Sequence, residues 1–337
     1  MKIAVDAMGG DFAPRVVVEG AVAAAEEFDV EILLVGAEKP VKRELERLNF
    51  QGAKITLVDA PETISMGEGL MSLRRKNRSS IFVGTELVKK GEADAFISMG
   101  NTAAVTYISK KVLGSLEGIE KPGLALLIPT LKGVSLLIDV GASANCEPHH
   151  LVQFAVMGKI FMETALNRQN PTVALMSIGE EKTKGNDLTL EAYERLQASP
   201  LNFIGNVEGK DIYSGVADII VSDGFTGNVA LKVSEGVVET MLAMAKHEIT
   251  KNLLAKVGFL LLKHHLKKIY KKIDYSEYGG AHLLGVKGIC IIGHGRSNHK
   301  AVKNAIRVGK EIVAQKLQEK IQEEIGKFVQ AYKGVTA

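Results

Sequence analysis

Five stretches of this chain join glycine to small polar side chains, each directly after an apolar run. They are Asp6 with "MGGD", Ser98 with "MGNTAAV", Asp139 with "VGASANCEP", Met176 with "SIGEEKTKGND" and Ser222 with "DGFTGN". Glycine allows close backbone approach, and a helix that starts just beyond offers free N–H groups and a positive dipole end. Each stretch alone is ordinary turn and cap chemistry. Together they suit an anion or a developing oxyanion. A sixth stretch, "SLRRKNRSS", sets Arg74, Arg75, Lys76 and Arg78 beside Ser79 and Ser80. Arginine forks match phosphate oxygens, and hydroxyls complete the set; the bland reading is a solvated basic face. Lys184 in "KTKGND" is a second candidate cation. Asp6, Asp11, Asp139 and Asp223 would repel a phosphate, so they are expected to cap helices, orient a cation or hold a metal. Asp11, three residues before Pro14, suits a loop-bracing role.

The elements that must position these residues alternate. Ile3–Val5, Glu31–Val35, Ile55–Val58, Ala95–Ser98, Leu124–Ile128, Ser135–Asp139, Thr172–Met176 and Ile219–Ser222 read as buried strands. Helical patterns occupy Pro14–Phe28, Lys39–Leu48, Ser80–Lys90, Thr102–Leu113, His149–Leu166 and Thr189–Ala198. This predicts an α/β fold with a mixed, mostly parallel sheet sandwiched by helices. Leu124–Ile128 and Ser135–Asp139 are close enough to form an antiparallel hairpin. Ligands sit beyond the carboxyl ends of parallel strands, so the five polar stretches are expected at one sheet edge. No linker or repeat divides the chain, which reads as a single domain over 1–337 with at most two lobes. Helical residues dominate from Gly227 to Ile273. A last long helix is expected from Asn298 to Tyr332, its stripe of Ala301, Ala305, Val308, Ile312, Leu317, Ile321, Ile325 and Phe328 packing on the core.

Composition narrows the chemistry. Hydrophobic residues are 46% and charged residues 24% of 337, a soluble α/β profile. Tryptophan is absent, aromatics are 5% and net charge is +3, which argues against nucleic acid. Cys146 and Cys290 make no disulfide framework and fit a reducing cytosol. The first residues enter a strand with no signal-peptide pattern, and no apolar run approaches the ~18 residues of a spanning helix. GxxxxGK[ST], GxGxxG after a strand, HExxH, zinc spacings and GxSxG are all missing, so no nucleotide, zinc site or elbow serine is expected. No cofactor is expected either.

In order along the chain, "VDAMGGD", "RRKNRSS", "GNTAA", "IDVGASANCEP", "GEEKTKGN", "NFIGNVEG", "SDGFTGN", "YGGAHLLGVKG" and "HGRSNHKAV" resemble one family. It is the bacterial phosphate acyltransferases, also called acyl-carrier-protein:phosphate transacylases. The match spans nearly the whole chain. It departs at Ala103–Ala104, where the family reads GNTGA, and at Gly141-Ala142-Ser143, where it reads GAN. The resemblance implies a fold like the isocitrate and isopropylmalate dehydrogenases and the phosphotransacetylases, and a homodimer. It implies transfer of a long acyl chain from acyl carrier protein to inorganic phosphate. The acyl phosphate would feed a membrane glycerol-phosphate acyltransferase in phospholipid synthesis.

The same resemblance implies catalytic roles for Asn101, Lys184, Asn228 and His282. It implies phosphate or acyl-substrate contacts at Gly9, Gly10, Arg74, Arg75, Lys76, Ser79, Thr102, Asp139, Gly141 and Asn145. Further such contacts fall at Gly185, Glu208, Asp223, Gly224, Gly227, Gly279, Gly280, His294 and Ser297. In this reaction phosphate attacks a thioester carbonyl, and a thiolate of pKa about 8.5 leaves with little acid help. Positioning can contribute about 7–11 kcal/mol and each oxyanion donor about 3–4 kcal/mol. The rival route is an acyl-cysteine on Cys146, although small buried cysteines are ordinary packing.

Ile249 to Ile273 carries seven lysines and no acid; subtracting them from +3 leaves the rest of the chain at −4. Its apolar face changes phase at Gly258. A helical hairpin arm over 235–273 is expected, joined near "VGFLLL", with Phe259, Leu260 and Leu261 as an apolar tip. Dimer packing explains most of its length. Lysines flanking an apolar tip also fit an anionic membrane surface, each worth ~1 kcal/mol, and would attract acidic acyl carrier protein. The resemblance favours a cytoplasmic protein held peripherally at the inner face of the cell membrane. Two other readings remain. A metal- and NAD-dependent dehydrogenase of the same fold lacks an adenine-ribose acid at a usual spacing. A non-catalytic membrane scaffold of lipid synthesis leaves the five polar stretches unexplained.

Overall fold

The computed structural model describes residues 1–273 and 278–331. In chain order its first half runs β1 (Lys2–Asp6), α1 (Arg15–Glu27), β2 (Glu31–Gly36), α2 (Glu38–Arg47), β3 (Ile55–Asp59), α3 (Leu70–Leu73), α4 (Ser80–Lys89), β4 (Ala95–Ser98) and α5 (Thr102–Leu113). A hairpin of β5 (Gly123–Thr130) and β6 (Gly133–Ile138) precedes α6 (Pro148–Ala165), β7 (Val173–Met176), α7 (Asp187–Gln197), β8 (Phe203–Val207) and β9 (Ile219–Val221). Then come α8 (Gly224–Lys251), α9 (Leu253–Ile273), β10 (Ala281–Leu284), β11 (Ile289–Ile292), α10 (His299–Ala314) and α11 (Leu317–Ala331).

The eleven strands among the described residues form one sheet, in the order β3-β2-β1-β4-β11-β10-β5-β6-β9-β7-β8. The pairs β11–β10, β10–β5 and β5–β6 are antiparallel and the others parallel. The register places Leu34, Val5, Ile97, Ile291, His282, Ala125, Ile138, Val221 and Leu175 side by side in one row. β1, β4 and β11 climb to this row from one side; β6, β9 and β7 reach it from the other. The sequence places the five polar stretches at one sheet edge, and the structure corrects this, because three antiparallel pairings separate β4 from β6. Their strands run in opposite directions, and their carboxyl ends meet in the middle of the sheet.

Helices cover both faces. α1 and α10 pack on the β1 half, burying Val17, Val18, Val302 and Ile306 against Ile3 and Ile97. α6 and α11 cover the other half, where Phe154, Phe161, Ile321 and Ile325 meet Leu136 and Ile219. The predicted hairpin is present. β8, β10 and β11 were not foreseen. β10 and β11 have four residues each, too few to show a period, and β8 is an edge strand with Gly205 at φ 103. The predicted last helix breaks between α10 and α11, where Lys316 turns left-handed at φ 54, yet the stripe continues into the core. The arm helices join at Asn252, not near Gly258, which lies inside α9.

Candidate active site

A cleft of about 400 Å³ opens over the central row, between the start of α5 and one face of α8. Leu124 and Leu126 of β5, Ala281 of β10 and Ile292 of β11 line it, with Val140, Leu231 and Met66. Strand alternation sends these residues to one face. Its polar lining is Thr102, Asn228, Lys232, Glu235, His294, Arg296 and Asp11. Asn228, Leu231, Lys232 and Glu235 recur every three or four residues, so α8 presents them together.

Acids hold the surrounding loops, Asp6 and Asp139 from buried positions. Asp6 accepts from Ser98 Oγ at 2.6 Å and from the Met8 N–H at 3.1 Å. A Cβ on Gly9 would lie 2.5 Å from its Oδ2 and 2.8 Å from Gly100 N, so only glycine lets this loop meet the one after β4. Asp139 accepts four backbone N–H groups, from Leu124, Gly141, Ala142 and Ser143, at 2.7–2.9 Å. Burial pushes its pKa above the usual carboxylate range, and the four donors oppose that by favouring the ion. Asp223 caps α8, accepting from Phe225 and Thr226 N–H. A Cβ on Gly227 would lie 2.0 Å from Asp139 O, so α8 starts in backbone contact with the Asp139 loop. Asn101 caps α5 through Oδ1, while Nδ2 donates to Met66 O at 2.7 Å.

The Arg296–Glu239 ion pair and a contact between His294 and Glu235 tie α8 to the loop after β11. Glu235 lies 2.7 Å from Lys232 and 3.8 Å from His294 Nε2, and Glu239 lies 3.0 Å from Arg296. Burial acts to raise the Glu235 pKa, but His294 and Lys232 outweigh it and hold the carboxyl below its usual range. His294 Nδ1 accepts from Arg296 N–H at 3.1 Å, which places the ring proton on Nε2. With the positive end of α5 opposite, the cleft combines an apolar floor with cationic and hydrogen-bonding groups, Lys232 and Arg296 lying against Glu235 and Glu239.

The family model described as "Fatty acid synthesis protein" matches residues 1–320. The chain is 47% identical over 325 residues to a phosphate acyltransferase of Thermodesulfovibrio yellowstonii, covering 96% of this chain and 94% of that one. It is 49% identical over 333 residues to a phosphate acyltransferase of Desulfitobacterium hafniense, covering 98% and 99%. The chain belongs to the phosphate acyltransferase family. It is therefore an enzyme of the transferase class. Among solved structures, a phosphotransacetylase from Streptococcus pyogenes shares the fold with TM-score 0.60 at 18% identity, over 93% of this chain and 94% of that one. A 4-hydroxythreonine-4-phosphate dehydrogenase from Salmonella typhimurium shares it with TM-score 0.53 at 14% identity, over 92% and 99%. The expected kinship of transacetylase and dehydrogenase folds is thus present.

Of the residues singled out in the enzyme's sequence, Thr102, Gly141, Asn228, Gly280 and His294 line the cleft. Gly9, Gly10, Gly279 and Ser297 line two small hollows beside it. Asn101, Asp139, Asp223, Gly224 and Gly227 shape its loops and have their polar groups engaged there. His282 faces the opposite side of the sheet, its ring 5.0 Å from that of Phe161, because its neighbours Ala281 and Leu283 take the cleft side. Lys184, Gly185 and Glu208 sit at the β7–β8 end, away from the cleft. There Glu208 pairs with Lys210, while the Lys184 backbone N–H donates to Glu181 O and the Lys184 carbonyl accepts from Ser177 Oγ at 2.9 Å. Lys76 pairs with Glu68 at 2.7 Å, Ser79 caps α4, and the Asn145 carbonyl accepts from Lys121. Arg74 and Arg75 are exposed and do not line the cleft. The sequence reading missed Met66, the apolar floor, Lys232, Glu235 and Arg296. Lys232 and Glu235 share a helix face with Asn228, and Arg296 lies inside "HGRSNHKAV".

Two other groups invite chemistry and do not support it. Cys146 donates to Ser143 O at 3.2 Å, and burial with Asp139 pushes its thiol up to about 11. Among the described residues, Glu120, His149 and His150 bring three possible metal-ligand atoms within 4.8 Å of one another. His150 Nδ1 accepts from Glu147 N–H at 2.8 Å, which leaves Nε2 protonated toward Glu120, and a protonated nitrogen cannot ligate.

Proposed function

We propose that the enzyme transfers a fatty acyl group from acyl carrier protein to inorganic phosphate, releasing an acyl phosphate for phospholipid synthesis. The observation that carries this reading is the cleft itself, where anion-binding groups rim a floor of Leu124, Leu126 and Ile292. Phosphate sits at the start of α5, held by helix N–H groups, the Thr102 hydroxyl and Lys232. The acyl chain lies along the apolar floor. A phosphate oxygen attacks the thioester carbonyl carbon; the C–O bond forms and an oxyanion develops beside Asn228. The C–S bond then breaks, and the thiolate leaves on the carrier, taking a proton from water. No group on the enzyme is acylated, in keeping with the high pKa of Cys146.

The exposed apolar face of the arm supports the remaining proposals. Val233, Val237, Met241 and Met244 on α8 are 52–65% exposed, and Leu260 and Leu261 on α9 are 65% and 77% exposed. A second copy of the chain covers part of this surface. An anionic membrane meets Phe259, Leu260 and Leu261, placing the product at the inner face of the cell membrane, near a membrane glycerol-phosphate acyltransferase. No described helix is long and apolar enough to cross a membrane.

Thr102→Val and Lys232→Ala test the phosphate seat. Each removes a contact worth about 1.5–3 kcal/mol if made to a charged group, so the KM for phosphate should rise about tenfold or more. An unchanged phosphate KM in both variants would move the seat elsewhere.

A further inference from the structure

Among the described residues, six of the ten arginines enter ion pairs. Arg74, Arg75 and Arg78 stand within five residues of one another, all exposed, and no described acid pairs with them. The acids nearby are committed elsewhere. Glu68 neutralises Lys76, and Glu62 Oε2 accepts from the Arg78 backbone N–H at 2.8 Å. A cluster of like charges repels itself and adds nothing to folding, so its explanation lies outside the chain. Its place is specific. The excursion between β3 and α4 that carries it also sends Met66 into the cleft, and Asn101 Nδ2 anchors that excursion to the start of α5.

We infer that Arg74, Arg75 and Arg78 form the docking surface for an acidic protein, the carrier that presents the thioester. This rests on the proposal that the acyl donor is carried by a protein. A free phosphate ion gains little from guanidinium groups spread over an exposed surface in water. An acidic protein face meets all three at once and is steered to them by their field. A carrier seated there lies on the α5 side of the cleft, with its thioester passing Met66. The arm on the α8 side stays free for a membrane or a second copy.

The test uses an Arg74→Glu, Arg75→Glu variant and a milder Arg74→Ala, Arg75→Ala, Arg78→Ala variant. The expected result is a KM for acyl carrier protein thioester raised about tenfold or more, with a weaker salt dependence of kcat/KM. The phosphate KM, and turnover of an acyl-pantetheine that lacks the carrier, should stay within about twofold of the parent. A rise in phosphate KM would assign the arginines to phosphate and overturn the docking surface. So would a carrier KM equal to the parent's while the parent still makes acyl phosphate, a result that leaves the proposed reaction standing. Should the parent give no turnover, fluorescence anisotropy of labelled acyl carrier protein decides docking alone. Binding lost in the variants supports the surface and sinks only the reaction; equal binding sinks the surface.

Discussion

His282→Phe separates a catalytic histidine from a buried structural one. The ring is 3% exposed, lies against Phe161, and its Nε2 has no hydrogen-bond partner among the described residues. Burial pushes its pKa down to about 4 from an ordinary value of 6.5. The native ring therefore stays neutral while the unfolded ring takes up a proton. Its penalty is absent above the unfolded pKa and grows as pH falls through 6.5 toward 4. Between about pH 7 and pH 5 this amounts to about 2 kcal/mol of stability lost in the parent. Phenylalanine has room, since a cavity of about 140 Å³ adjoins the ring, and it cannot titrate. Urea unfolding at both pH values should show the variant losing about 2 kcal/mol less than the parent. Acyl transfer should stay within roughly twofold, because a group outside the cleft removes no transition-state contact. Identical pH dependence in the two proteins would refute the burial argument. A folded variant that no longer turns over would return His282 to the reaction.

Asp139→Asn should cost about 2–4 kcal/mol in a urea or thermal unfolding experiment, because the amide loses the charge and turns an NH₂ toward one of four backbone donors; unchanged stability would mean the loop is held otherwise. Cys146→Ser should keep most activity, since a thiol pushed up to about 11 is not a thiolate near neutral pH; a folded but dead variant would favour an acyl-cysteine. Leu260→Ser with Leu261→Ser should leave stability nearly unchanged, where a buried leucine would cost about 2–5 kcal/mol, and should reduce binding to anionic vesicles. Unfolding, or vesicle binding equal to the parent's, would contradict a membrane-facing role for these leucines.

The alternation of strands and helices was readable because each central strand is a run of buried apolar residues between turn signals. What escaped was direction. Nothing in "IDVGASANCEP" says that β6 approaches the central row from the side opposite to β4, since that depends on β10 and β11, two short strands bracketed by glycines. The glycine-rich stretches suggested backbone brought close to a ligand; in the structure Gly9 and Gly227 bring one loop against another. Their aspartates turned inward: Asp6, Asp139 and Asp223 spend their oxygens on N–H and O–H groups of the enzyme itself. Motif reading alone could not place His282 against Phe161, because one step along a strand changes the face. It named Lys184, which lies outside the cleft, and not Lys232, which lines the cleft one helical turn from Asn228.

In the proposed reaction the cleft joins phosphate to an acyl group delivered as a thioester. The most direct measurement incubates the purified enzyme with acyl carrier protein thioester and radiolabelled phosphate, with chelator present and no nucleotide. Labelled acyl phosphate and free carrier thiol should then appear mole for mole. Release of free fatty acid without label, or formation of acyl phosphate only after a divalent ion is restored, would contradict it.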